Sequence, residues 1–151
     1  MAAVGLRTAG RDLALKVLYQ MDIVGDRSAD NLRSLLASMP ADPRAREFAA
    51  RLVAGVSADL QHLDELLEQV ITNWSIGRLS RIDHNILRLA AYELLNLDDV
   101  PARATMDEAI ELAKRYGDRN SGQFVNGVLD VLASHLGLKH KGDQDLGLAK
   151  E

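Results

Sequence analysis

From Phe48 to Val70 the apolar residues recur at intervals of three and four without interruption: Phe48, Ala49, Leu52, Val53, Val56, Leu60, Leu63, Leu67 and Val70. Only an α-helix brings positions with that spacing onto one side of an element. Asp42-Pro43 stands in front of the run, an N-cap acceptor followed by the residue best suited to the first helical position. The spacing therefore predicts one helix over 43–72, bent near Gly55 and Ser57 and serving as a spine between two halves. A stripe that long must be covered by other helices, because one helix cannot bury its own apolar face.

Candidates to cover it lie on both sides. Leu13, Ala14, Val17, Leu18 and Met21 form a buried face on a helix from about Leu6 to Met21, with Tyr19 packing beside it. After the turn Gly25-Asp26-Arg27-Ser28, either Ser28 or Asp30 can cap a short helix through Leu32, Leu35 and Leu36, which Pro40 closes. Beyond a loop anchored by Trp74, Ser80 or Asp83 can cap a helix from Ile82 to Asn96. That helix carries one face of Ile82, Ile86, Leu89, Ala90 and Leu94 and a second of Leu87, Ala91 and Leu95, which makes it central to its bundle. Asp98-Asp99-Val100-Pro101 spells another cap and proline, opening a helix that ends at Gly117 and lets Glu111 pair with Arg115. A last helix covers about 119 to 136. The polar tail from 138 to 151 reads as disordered.

Alternating runs of β-branched residues are lacking, so an all-β reading fails. The hydrophobic fraction of 47% is enough for a packed interior, and an aromatic fraction of 4% makes that interior aliphatic. The absence of cysteine excludes disulfides, thiolate metal sites and cysteine nucleophiles. No charge-free run approaches the roughly 20 residues of a membrane span, and no signal-peptide core precedes Arg7, so a soluble, cytoplasmic protein is expected.

A net charge of −4 argues against nucleic-acid binding by bulk charge, so any such site must be a local basic patch. Two patches qualify. Arg7, Arg11 and Lys16 stand against Asp12 on the first helix, and Lys114, Arg115 and Arg119 stand against Asp118 before the last. Small clusters of this kind are more often solvated faces, although Arg7 and Arg11 near a helix N-terminus oppose the helix dipole.

Reactive constellations are scarce. Asp59-x-x-His62 is half of a carboxylate–histidine metal motif with no partner half, and ordinary helix residues explain it better. Asp83-His84 is explained by capping. Neither a nucleophile elbow nor a Gly-rich phosphate loop occurs. An enzyme is not expected, and no metal or cofactor is called for.

The stretch Phe124-Val125-Asn126-Gly127-Val128-Leu129-Asp130 combines two roles. Val125, Val128, Leu129, Leu132 and Leu136 follow a core-facing stripe, and Gly127 suggests that another backbone comes close. Phe124 sits at the edge of the stripe, just after the polar run Asp118-Arg119-Asn120-Ser121-Gly122-Gln123, where stacking on a base competes with a core position.

These residues resemble a known family. Arg88-Leu89-Ala90-Ala91-Tyr92-Glu93-Leu94-Leu95, Asp99-Val100-Pro101, Glu108-Ala109-Ile110-Glu111-Leu112-Ala113-Lys114, Tyr116-Gly117 and Phe124 to Asp130 are similar to NusB, a family of bacterial transcription antitermination factors. Arg11 to Leu15, Leu18-Tyr19-Gln20 and Leu52 to Val56 extend the likeness over about 7–136. The resemblance implies an all-α fold of two roughly perpendicular three-helix bundles, about seven helices in all, sharing the spine. The bundles would cover about 6–72 and 78–136. It implies single-stranded boxA RNA and the ribosomal protein NusE as partners. With other Nus factors they would act on the RNA polymerase elongation complex and promote processive transcription of ribosomal RNA operons.

Single-stranded RNA is held by cations on its phosphates and by aromatic faces under its bases. Arg7, Arg11, Lys16, Arg119, Gln123 and Phe124 are the candidates for that contact, and two adjoining helix fronts would form one patch. For NusE the matching region suggests Arg78, Arg81, Asp83, Arg88 and Glu93. Thr8 and Ala9 stand where the family more often has arginine, so affinity for RNA without NusE should be weak, with a log–log salt slope of about −2 to −3. Two other readings compete. A similar helical domain precedes the catalytic part of certain ribosomal RNA cytosine methyltransferases, which would make this chain a detached targeting domain. A helical scaffold that binds protein and not RNA also fits an acidic chain.

Overall fold

The computed structural model describes residues 5–71 and 79–138. Within them lie seven α-helices and no strand: α1 (Leu6–Val24), α2 (Ala29–Ser38), α3 (Pro43–Ala58), α4 (Leu60–Val70), α5 (Arg81–Asn96), α6 (Ala102–Tyr116) and α7 (Ser121–His135). The all-α expectation holds. The Trp74 loop, Arg78 and the tail from 139 lie outside the described residues.

Local chemistry accounts for most of the boundaries. Gly25 ends α1 in the left-handed conformation, φ 77°, which glycine adopts without a Cβ penalty. Ser28 caps α2 by accepting from the Asn31 amide at 3.1 Å, and Asp42 caps α3 by accepting from the Arg44 amide at 2.8 Å, with Pro43 following. Ser80, not Asp83, caps α5 through the Asp83 amide. At α6 the expected aspartate cap is absent, because Asp98 and Asp99 belong to a turn. Pro101 itself is the N-cap, and its carbonyl accepts from the amides of Ala104 and Thr105.

The helix expected over 43–72 is two helices. The break falls at Asp59, whose amide is shared between the carbonyls of Gly55 and Val56 at 3.2 Å each, a one-residue turn with φ −118° and ψ 23°. A one-residue interruption barely disturbs the three-and-four spacing, so the apolar pattern runs across it unmarked.

The chain divides into two compact units, one ending at Leu60 and the other beginning at Gln61. In the first, α1 packs along α3, and α2 lies against both. Its core holds Leu13, Ala14, Val17, Leu18 and Met21 from α1 and Phe48, Ala49, Leu52, Val53 and Val56 from α3. In the second, α5 packs on both α6 and α7, which also pack together, and this accounts for its two apolar faces. Ile86, Leu87, Leu89, Ala90 and Ala91 are all buried there, together with Met106, Ala109, Val125, Leu129 and Leu132. Helix α4 thus belongs with α5–α7, whereas the expected N-terminal bundle ran on to residue 72.

Candidate functional site

In the second unit, the turn before α7 is built by side chains answering backbone groups. Ser121 Oγ accepts from the Asp118 amide at 3.0 Å, and Asp118 Oδ1 accepts from the Asn120 amide at 2.8 Å. Ser121 is buried against Gly117, where an added Cβ would come within 2.3 Å of its hydroxyl. These contacts fix the front of α7 and place Gln123 and Phe124 beside the start of α5. A cleft of about 510 Å³ lies there, lined by Ser80, Asp83, Asp118, Asn120, Gln123 and Phe124, among others. Phe124 is half-buried, while Val125, Val128 and Leu129 behind it are in the core. Gln123 and Arg119 are exposed, and Arg119 is not among the lining residues.

Asp83 is the unusual group of this cleft. It is 9% exposed, and its Oδ1 is buried without a hydrogen-bond partner. Burial pushes its carboxyl up; a hydrogen bond from Ser121 opposes that, and the charge of Asp118 pushes the same way as burial. Two carboxylates facing one cleft repel phosphate and favour a donor, such as an ammonium, a guanidinium or the amino edge of a base. The cleft thus brings Asp83, expected to meet a protein, together with Gln123 and Phe124, expected to meet RNA.

Arg88 and Glu93 have inward positions that helical spacing alone did not reveal. The Arg88 guanidinium is bidentate to Asp64 on α4, Nε to Oδ1 at 2.9 Å and an Nη to Oδ2 at 2.8 Å, and its other Nη donates to Asn85. His84 Nε2 lies 2.8 Å from the same Asp64. Burial acts to raise the Asp64 carboxyl, but the hydrogen bonds and charges of Arg88 and His84 outweigh it and hold the group well below the usual carboxylate range. Glu93 is 2% exposed and accepts from the Thr105 hydroxyl at 3.2 Å. Both residues are engaged inside the unit, so neither offers its charge at the surface. Arg81 is exposed.

In the first unit, Arg7 and Lys16 are exposed on α1, and Lys16 lies 3.6 Å from Asp12 one turn away. Arg11 is buried, contrary to its expected place on an open basic face. Arg7 and Arg11 both set their guanidiniums over the ring of Phe48, at 5.0 and 5.6 Å from its centre. The apolar spacing alone makes Phe48 plain core. Arginines recurring one turn apart on α1 opposite a ring on α3 become visible only once the two helices are docked. Glu111 pairs with Lys114 at 3.7 Å, whereas the spacing suggested Arg115, whose guanidinium lies over Tyr116. Among the described residues no cluster of histidine and carboxylate side chains could hold a metal ion.

A chain with guanidiniums gathered on a ring in one unit, an amide- and carboxylate-lined aromatic cleft in the other and only helices among its described residues is an all-α protein by class. Known proteins narrow the class. The chain belongs to the NusB family, whose model matches residues 8–134. It is 43% identical over 134 residues to the transcription antitermination protein NusB of Sorangium cellulosum, covering 89% of this chain and 96% of that one. The crystal form of T. maritima NusB is 40% identical, with a TM-score of 0.76 over 88% of this chain and 93% of that chain. A crystal structure of antitermination factors NusB and NusE in complex with dsRNA matches with a TM-score of 0.78 at 29% identity, covering 86% and 97%. These relatives are transcription antitermination factors and not enzymes.

Proposed function

We propose that this chain is a transcription antitermination factor that binds boxA-type single-stranded RNA together with NusE and acts within the RNA polymerase elongation complex on ribosomal RNA operons. The observation that carries this reading is the likeness, over most of both chains, to an antitermination factor solved with NusE and dsRNA; the single-stranded form of the RNA comes from the resemblance to the family. No described helix is long and apolar enough to cross a membrane, and the working place of such a factor is the cytoplasm.

The division of labour follows from exposure and charge. Arg7, Lys16 and Arg119 supply exposed cations for phosphates, and Gln123 and Phe124 supply an amide and a ring for a base. Arg11 supports from within, because its guanidinium is buried beneath the same face. Towards NusE, Arg81 presents charge and Asp83 offers a carboxyl at the cleft, while Arg88 and Glu93 hold the helix that carries them.

A gel shift with boxA-containing and scrambled RNA, each with and without NusE, tests the reading. Sequence-dependent binding that tightens with NusE is expected. Binding to NusE with no RNA dependence would leave only a protein scaffold. Reversal of charge by Asp83→Lys is expected to weaken co-purification with NusE while the helical CD spectrum persists; an unchanged pull-down removes Asp83 from the partner surface.

A further inference from the structure

A third guanidinium shares the Phe48 ring. Arg51, one turn further along α3, sets its guanidinium carbon 5.9 Å from the ring centre, beside those of Arg7 at 5.0 Å and Arg11 at 5.6 Å. The ring is closely packed, since Gly10 seats α1 so near that an added Cβ would meet Phe48 Cδ2 at 2.7 Å. A ring quadrupole attracts each cation but neutralises none of them. Three positive groups therefore gather around one ring on a chain whose net charge is −4. Arg7 and Arg51 are exposed and come from different helices, and they can be no further apart than the sum of their two distances to the ring. The buried Arg11 adds to the positive potential beneath them.

We propose that Arg51 and Arg7 form a two-helix phosphate clamp that carries the RNA backbone from α1 onto α3. The occupant is a nucleic-acid strand. Planar guanidinium forks match phosphate oxygens two at a time, and a backbone offers the closely spaced anions that two neighbouring forks can share. This proposal rests on the RNA-binding reading above and adds to it a residue and an element that helix α1 alone does not supply.

The test is a titration of the full chain with NusE and boxA RNA at several salt concentrations. Arg51→Ala is expected to weaken binding about three- to tenfold and to make the log–log salt slope shallower by about one, as for a lost phosphate contact. Arg51→Lys should retain most of the slope, and both variants should melt like the parent. Arg33→Ala, which removes an exposed cation paired with Asp30 on α2, should leave the slope unchanged. If Arg33→Ala has the same effect as Arg51→Ala, the effect is diffuse charge and the clamp is refuted. If the parent binds RNA and Arg51→Ala binds with the same affinity and slope, Arg51 is no contact, while the RNA reading stands. If Arg51→Ala impairs capture of NusE without RNA and leaves the salt slope intact, the face is a protein surface and the clamp is overturned. If the parent complex itself shows no affinity for boxA RNA, the functional reading falls and the clamp falls with it.

Discussion

A Cβ added at Gly10 would lie 2.7 Å from Phe48 Cδ2 and 3.0 Å from the carbonyl of Ala45, whereas one added at Gly127 would meet nothing within 4 Å. Gly127 was the glycine expected to admit another backbone, yet it is exposed on α7, and Gly10 and Gly117 are the positions where close approach occurs. Gly127→Ala should therefore stabilise the fold by about 0.5–1 kcal/mol in urea denaturation, through helix propensity and a less free unfolded chain. Gly10→Ala should destabilise it by about 1–3 kcal/mol, because α1 must move off the Phe48 ring. Phe124→Ala, in a half-buried position, should cost under about 2 kcal/mol while weakening boxA binding in the presence of NusE. Unfolding of that variant would assign the ring to the core.

Among the elements, α4 is held by its buried Leu63, Leu66, Leu67 and Val70 and by one carboxylate. Asp64 fastens it to α5 through Arg88 and His84, and removing its charge would take the bidentate acceptor from the inward-facing guanidinium. Asp64→Asn should cost about 2–3 kcal/mol in a denaturant titration. The pH dependence separates the two unusual aspartates. The Asp64 carboxyl is depressed in the folded chain, so its contribution is complete above the unfolded value of 3.8 and is lost as pH falls below it. Asp83 is raised, so the folded chain holds that proton more tightly than the unfolded one, and stability declines as pH rises from 3.8 through its folded value. Thermal melts between pH 3 and pH 7 should show this decline reduced in Asp83→Asn and the acid loss reduced in Asp64→Asn.

For the whole molecule, the assignment to antitermination depends on ordered motifs spread along the chain as much as on any one site, and the family match covers residues 8–134. The two proposed recognition features lie in different units: the guanidiniums on Phe48 in the first, and the cleft of Asp83, Asp118 and Phe124 in the second. Substitutions in one unit should therefore act nearly independently of those in the other on stability. A double variant Gly10→Ala with Asp64→Asn should lose close to the sum of the single losses in urea denaturation.

Most helices, the cap at Asp42, the pairs of residues from which Ser28 and Ser80 emerged as caps, and the apolar faces were legible from the residues alone. Helical periodicity and capping are decided within one or two turns of chain, so the information lies next to where it acts. The break at Asp59 was not legible, since one residue of turn leaves the spacing almost intact. The burial of Arg11, Arg88 and Glu93 was not legible either, because what neutralises or covers a charge is set by partners distant in the chain. Asp64 lies 24 residues from Arg88, and Thr105 lies 12 from Glu93. Local sequence thus determined which segments are helical and which residue types each face carries. Tertiary packing decided which charges face water, which glycines touch a neighbour, and how two aspartates came to share a cleft with Phe124.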